Sequence, residues 1–145
     1  MSDAKLFYVG VKGLIENEAG EILLLLADVT KHRKNTEPYW DIPGGRIEDG
    51  QTAEETLRRE IEEETSVTTI TETKFLTAII SNHEIPVSDS LTAGLLLMVY
   101  RVSISTGSVI TISSEHVKYE WVSKNEASER LSHKYPSEFT NTLTA

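Results

Sequence analysis

The sequence contains no cysteine. Disulfides and thiolate metal ligands are therefore excluded, which is compatible with a reducing compartment. Long apolar runs are absent too: Ile22–Ala27 and Leu95–Tyr100 are typical of what is present, and neither approaches the length of a membrane-spanning helix. The N-terminus lacks the basic-then-apolar pattern of a secretory leader, so a cytoplasmic location with no membrane partner is expected. Positive charge is scarce, with 14 Lys and Arg against 23 Asp and Glu and a net charge of −9. That balance argues against a nucleic-acid polymer as partner. A small anionic ligand would need cations to mediate its binding. Repeats, low-complexity tracts and linkers are missing, so residues 1–145 are expected to form one domain, large enough to bury a core.

What is present is mostly strand-like. Leu6–Ile15 and Glu21–Ala27 read as strands joined by the turn-rich Glu16–Gly20 segment. Lys31–Tyr39 is polar and basic, a loop, and Trp40–Ile42 is short and extended before Pro43-Gly44-Gly45 breaks the chain. Thr68–Ile80 and Leu91–Ile104 read as strands around a polar loop holding His83, Glu84 and Pro86. Val109–Ile112 and Tyr119–Val122 read as short strands, Asn125–Leu131 and Pro136–Leu143 as helices. The clearest helix is Thr52–Thr65, where Thr52 caps the end and Glu55 stands at the capping-box spacing. Few helices among many strands favour an α+β fold or a helix–sheet sandwich.

The Thr52–Thr65 helix carries an internal conflict. With Ala53 at zero on a helical wheel, Leu57 and Ile61 fall at about 40° and about 80°, which sets the buried stripe. Glu60 and Glu64 fall at about −20° and about 20°, within or beside that stripe, and Glu63 at about −80°. Buried carboxylates are costly without a compensating cation. These three also repel one another near the unfavourable end of the helix dipole. A divalent metal would resolve the conflict, and hard oxygen ligands suit Mg²⁺. The alternative is a solvated acidic helix, the usual state of a charge run.

The residues before the helix bear on that choice. Gly44-Gly45 lets backbone approach a ligand where a Cβ would obstruct. From Gly45 onward the chain resembles the Nudix box: Gly45, Arg59, Glu60, Ile61, Glu63, Glu64 and Val67 stand at the family's spacing. Two positions depart, with Gln51 in place of the family's Glu and Ser66 in place of its Gly. Val9–Leu26 resembles the first two Nudix strands, Trp40–Gly45 the approach to the box, and Ser114-Glu115-His116 with Glu120–Ser123 a later segment bearing a further acidic residue.

The resemblance implies an α/β/α sandwich with a mixed sheet. It also implies Mg²⁺, with Mn²⁺ as a substitute, held by Glu60, Glu63 and Glu64, the Gly45 carbonyl and Glu115. Glu60 is the implied holder or base of the attacking water, and Arg59 the residue that orients carboxylates such as Glu63. The implied reaction is hydrolysis of a diphosphate linkage in a nucleoside diphosphate joined to another group, nucleoside triphosphates included. The partner is then a small nucleotide, and the protein a monomer or homodimer. Gln51 favours a second reading, a Nudix-fold nucleotide-binding module with little or no turnover. Weaker claims attach to the basic run Lys31–Lys34, which could attract phosphates, and to His83 and Glu84, whose loop could overhang the site. The same holds for His116, a support behind Glu115 or simply exposed, and for Tyr39 and Trp40, which could stack a base. The default readings are solvated loop, surface and, for Trp40, core, and none is counted as a site residue.

Overall fold

The computed structural model describes residues 4–28 and 37–145; the basic run Lys31–Lys34 and most of its loop lie outside them. The elements run β1 (Phe7–Ile15), β2 (Ile22–Ala27), β3 (Tyr39–Asp41), β4 (Gly44–Arg46), α1 (Ala53–Thr65), β5 (Ile70–Ile80), β6 (Ile85–Ser88), β7 (Leu91–Ile104), β8 (His116–Val122), α2 (Lys124–Leu131) and α3 (Ser137–Thr140), with a closing 3₁₀ turn at Asn141–Leu143. One sheet is ordered β4-β1-β7-β5, with β6 also paired to β7; the other is ordered β3-β2-β8. The β1–β7 pair is parallel and the rest are antiparallel, so the first sheet is mixed, as the resemblance implied.

Side-chain alternation along β1 and β2 supplies two cores. Val11, Ile15, Leu23 and Leu25 pack towards Leu57 and Ile61 of α1. Leu14, Ile22 and Leu24 pack towards Leu131, Tyr135 and Phe139 at the other end of the chain. Helices therefore cover opposite faces, and the molecule is the expected α+β sandwich. Helix α1 lies close on β1 because Gly13 has no side chain: a Cβ there would stand 3.0 Å from Ile61 Cδ1. Among the described residues no helix is long and apolar enough to cross a membrane.

Three sequence expectations change in the fold. The polar loop around Pro86 contains β6, which pairs with the start of β7; its short, exposed residues gave no apolar alternation to read. Gly44-Gly45 is a strand as well as a break, running antiparallel to Val11 and Lys12 of β1. Val109–Ile112 is not a strand. Thr111 instead donates its N–H to Thr65 O at 2.9 Å and accepts from Ser66 Oγ at 2.9 Å, while Ile110 is buried. Its backbone closes the C-terminus of α1.

The same contact accounts for Ser66, one of the two departures from the box. Ser66 caps α1 in the left-handed region, φ 65°, and its N–H reaches Glu62 O at 2.9 Å. A glycine adopts that conformation without steric cost, and is the common choice at this cap. Here the serine hydroxyl's bond to Thr111 offsets part of the strain. At the other end, Thr52 accepts from Glu55 N at 3.1 Å, a cap that stabilises a helix by about 1 kcal/mol.

Candidate active site

The carboxylates of α1 meet the glycines of β4. Glu60 lies directly over Gly45: a Cβ on Gly45 would stand 2.5 Å from Glu60 Cδ and 2.7 Å from its Oε1. The cradle exists because Gly45 has no side chain. One turn on, Glu64 is 5% exposed, and its Oε2 accepts the Gly44 N–H at 2.8 Å. Gly44 holds φ 152°, and a Cβ there would collide with Val11 O of β1. Both glycines are thus fixed by close approach, one to a strand and one to a carboxylate.

The wheel's ordering of these glutamates is visible in their exposure. Glu60 is mostly covered, whereas the Glu63 side chain is 56% exposed on the rim. Burial pushes the Glu60 carboxyl above its ordinary range; Arg59 opposes the rise, and Glu63 and Glu115 add to it. Burial drives Glu64 further, to about 8, against the pull of Lys12 and the Gly44 N–H. Both groups therefore have an unmet demand for positive charge.

Arg59 answers part of it. Its Nη2 stands 3.3 Å from Glu60 Oε1, and its Nη1 3.7 Å from Glu63 Oε1. The same Nη2 donates to Gln51 Oε1 at 3.1 Å, which also accepts from Thr56 Oγ1 at 3.2 Å. Gln51, the other departure from the box, thus keeps an acceptor on the arginine while giving up a charge. Arg59 Nε is buried with no hydrogen-bond partner.

Glu115 approaches from the segment before β8. Its carboxylate, one Glu64 oxygen and one His116 nitrogen all lie within 4.8 Å of one another. Of the two readings of His116, a support behind Glu115 or a simply exposed residue, the geometry favours the first: its side chain is 8% exposed, with Nε2 3.7 Å from Glu64 Oε1. Burial, with Lys12 nearby, lowers its basicity and favours the neutral ring. The structure brings Glu64 and Glu115 together, seats Glu60 over Gly45 one turn before Glu64, and leaves Glu63 on the rim. Two covered carboxylates whose proton affinity stays raised despite Arg59 and Lys12, with a third nearby, make a donor set that fits a divalent cation.

A second charged cluster was not legible in the sequence. Lys12 of β1 donates to Asp41 Oδ2 at 3.0 Å and to Ile42 O at 3.2 Å. Lys134 reaches the same Asp41 Oδ2 at 2.6 Å, and the Tyr135 hydroxyl donates to Oδ1 at 2.6 Å. Burial alone would raise the Asp41 carboxyl, but the two lysines outweigh it and hold the group well below the carboxylate range. Burial lowers Lys134 to about 8 despite Asp41. The only local signal was a lysine in an otherwise inward-facing stretch of β1; its partners are 29 and more residues away.

Between the clusters lies a cavity of about 420 Å³, with Lys12, Asp41 and Lys134 on one side and Glu64, Glu115 and His116 on the other. A larger recess, about 520 Å³ between Glu16–Ala19 and Ser103–Ser108, holds none of the box residues. Of the weaker candidates, Tyr39 and His116 line the 420 Å³ cavity, and His83, Glu84 and Trp40 do not. Glu84 pairs with Lys5 at 2.7 Å, Tyr39 packs edge-on against His83, and Trp40 packs against the core with Arg130 4.8 Å over its ring.

Residues 6–143 match the family model of the NUDIX domain. A MutT-like protein of Streptomyces ambofaciens is 31% identical over 127 residues, covering 88% of this chain and 71% of that protein. A putative 8-oxo-dGTP diphosphatase of Bacillus subtilis is 42% identical over 52 residues, 36% of this chain and 30% of that protein. Among solved structures, a MutT protein from Methanosarcina mazei Go1 superposes with a TM-score of 0.71 at 24% identity, over 99% of this chain and 94% of that one. At that identity the likeness is one of fold.

Proposed function

The chain belongs to the Nudix family of pyrophosphohydrolases, and from that premise we propose that it uses Mg²⁺ to hydrolyse the diphosphate linkage of a small nucleotide, with nucleoside triphosphates as the leading class. The supporting observation is the meeting of Glu64 and Glu115 on the edge of a 420 Å³ cavity, with Glu60 one turn before Glu64 and seated over Gly45. The Bacillus relative's name, a putative 8-oxo-dGTP diphosphatase, favours triphosphates within the wider class. A net charge of −9 is no obstacle to a polyanion once a cation mediates.

Each residue has a separable task in this reading. Glu60, Glu64 and Glu115 hold the divalent ion, with the Gly45 carbonyl and Glu63 assisting. When bound, the ion neutralises phosphate oxygens and acidifies a water. Glu60, whose proton affinity is already raised, accepts the proton as the water oxygen bonds to phosphorus and the anhydride P–O bond breaks. Arg59, steered by Gln51, sets the Glu60 carboxylate and draws Glu63 inward. Glu115→Ala should slow turnover less than loss of Glu60, because Glu115 is exposed and serves from outside the helix.

The test is a nucleotide panel hydrolysed in ¹⁸O-labelled water with Mg²⁺, with products followed by mass spectrometry. One labelled oxygen should enter a phosphate product, and chelator should abolish the reaction. No turnover of any member, with nucleotide binding intact, would support the second reading of a binding module, which Gln51 favours.

A further inference from the structure

His116 has no role in the mechanism above, yet its placement is that of a ligand. Its imidazole is almost fully covered, with Nδ1 buried and unpartnered. Nε2 points at Glu64 Oε1 from 3.7 Å, beyond hydrogen-bonding range. A buried imidazole that makes so little of its hydrogen-bonding capacity is costly, as buried polar groups are almost always satisfied. Glu64 Oε1 faces Nε2 across that gap, while the Gly44 N–H takes the other oxygen. The nearest strong cation does not fill the gap, because Lys12 is hydrogen-bonded to Asp41 and Ile42.

We propose that His116 Nε2, Glu64 Oε1 and a Glu115 oxygen together ligate one divalent ion, and that the nitrogen makes this position prefer Mn²⁺ or Co²⁺ to Mg²⁺. Two donors on one ion, each about 2.1 Å from it, stand roughly 3.0–3.5 Å apart. The 3.7 Å between His116 Nε2 and Glu64 Oε1, in a trio of donors that all lie within 4.8 Å of one another, therefore needs only a small closure. Glu115 is exposed and free to make it. An all-oxygen site suits Mg²⁺, whereas an imidazole nitrogen shifts preference along the first-row transition series. The inference deepens the metal-dependent reading of the same cleft, but it concerns the ligand set and is tested by binding and spectroscopy without turnover.

The probe is Mn²⁺ itself, added to the whole protein and read by electron spin-echo modulation from coupled ¹⁴N, alongside calorimetry with Mn²⁺ and Mg²⁺. The wild type should show nitrogen coupling and bind Mn²⁺ at least about tenfold more tightly than Mg²⁺. His116→Gln should lose the coupling and about tenfold in Mn²⁺ affinity, with little change for Mg²⁺. His133→Gln should keep both; His133 stacks on His83, 4.9 Å between centroids, and is the control for a histidine elsewhere. No coupling in the wild type, or coupling lost in His133→Gln but kept in His116→Gln, overturns the proposal. If His116→Gln does not fold, the wild-type and His133→Gln spectra decide. Hydrolysis without nitrogen coupling would sink this inference and spare the function; coupling without hydrolysis would do the reverse.

Discussion

Around Asp41 the carboxylate is fully answered. Its two oxygens accept four hydrogen bonds, from the Ile42 N–H, Tyr135, Lys12 and Lys134. Around Glu64, across the same cavity, one bond is made, from Gly44, while Glu60, Glu115 and His116 crowd in. Both carboxylates are buried to a similar degree, 5% exposed in each case. Burial therefore does not distinguish them; the supply of donors does. The saturated cluster fastens Lys134 and Tyr135, near the chain's end, to the strand before the box, and is built for stability. The starved cluster keeps an energetic debt that a cation can settle, and its instability is the condition of its function.

The sharpest way to break this contrast is to remove the centre of the saturated cluster. Asp41→Ala leaves Lys134 and Tyr135 buried without this acceptor and Lys12 with the Ile42 carbonyl alone, and should cost about 3–5 kcal/mol of stability in urea denaturation. A loss below about 1 kcal/mol would mean that the network is ornamental and the contrast false.

The two clusters should also respond to pH with opposite signs. Asp41, held below its ordinary range, contributes stability above the unfolded value that is lost as acid protonates the folded group. Glu64, raised from 4.5 to about 8, behaves the other way in metal-free protein. The folded state keeps a proton that the unfolded chain releases, so stability is fully present below about 4.5 and falls as pH rises towards 8. At roughly 1.4 kcal/mol per tenfold change in proton affinity, the slope amounts to a few kcal/mol. Chelator-treated protein should therefore lose thermal stability from pH 5 to about 8, and Glu64→Gln should flatten that decline. Saturating metal, which needs the ionised carboxylate, should reverse it. A metal-free stability that climbs through this interval would put Glu64 in the saturated class.

Smaller effects test the two departures from the box. Gln51→Glu restores a charge on the acceptor facing Arg59, and should raise the rate or tighten Mg²⁺ by up to about tenfold. Turnover appearing only in the variant would mean that the natural chain is a binding module. Ser66→Gly relieves the left-handed backbone but forfeits the bond to Thr111, so thermal melting should shift by under about 1 kcal/mol. A large loss would assign Ser66 a structural role beyond the cap.

How much of this was legible follows the range of the interactions. The α1 helix, its cap and the inward lean of Glu60 and Glu64 rest on spacings of a few residues, and helical periodicity carries them. The role of Gly45 was legible as a need for close approach, although what approaches, Glu60, lies in the next element. The Asp41 cluster was hidden because Lys134 is 93 residues away, and no local pattern announces such a pair. His116 was left between a support behind Glu115 and an exposed residue because the strand read there began only at Tyr119, whereas β8 starts at His116. Val109–Ile112 read as a strand on apolar content alone, whereas its backbone bonds are spent on the end of α1.

The central claim, that the starved carboxylates work through a bound cation, is tested most directly by Glu60→Gln assayed at saturating Mg²⁺ and Mn²⁺ on the best substrate. The change is nearly isosteric, so the melting temperature should stay close to wild type. It removes an anionic ligand and the proton acceptor, worth about 3–4 kcal/mol, so turnover should fall by a hundredfold or more. A folded variant that keeps most of the wild-type rate, or a wild type that hydrolyses undiminished in chelator, would contradict the account.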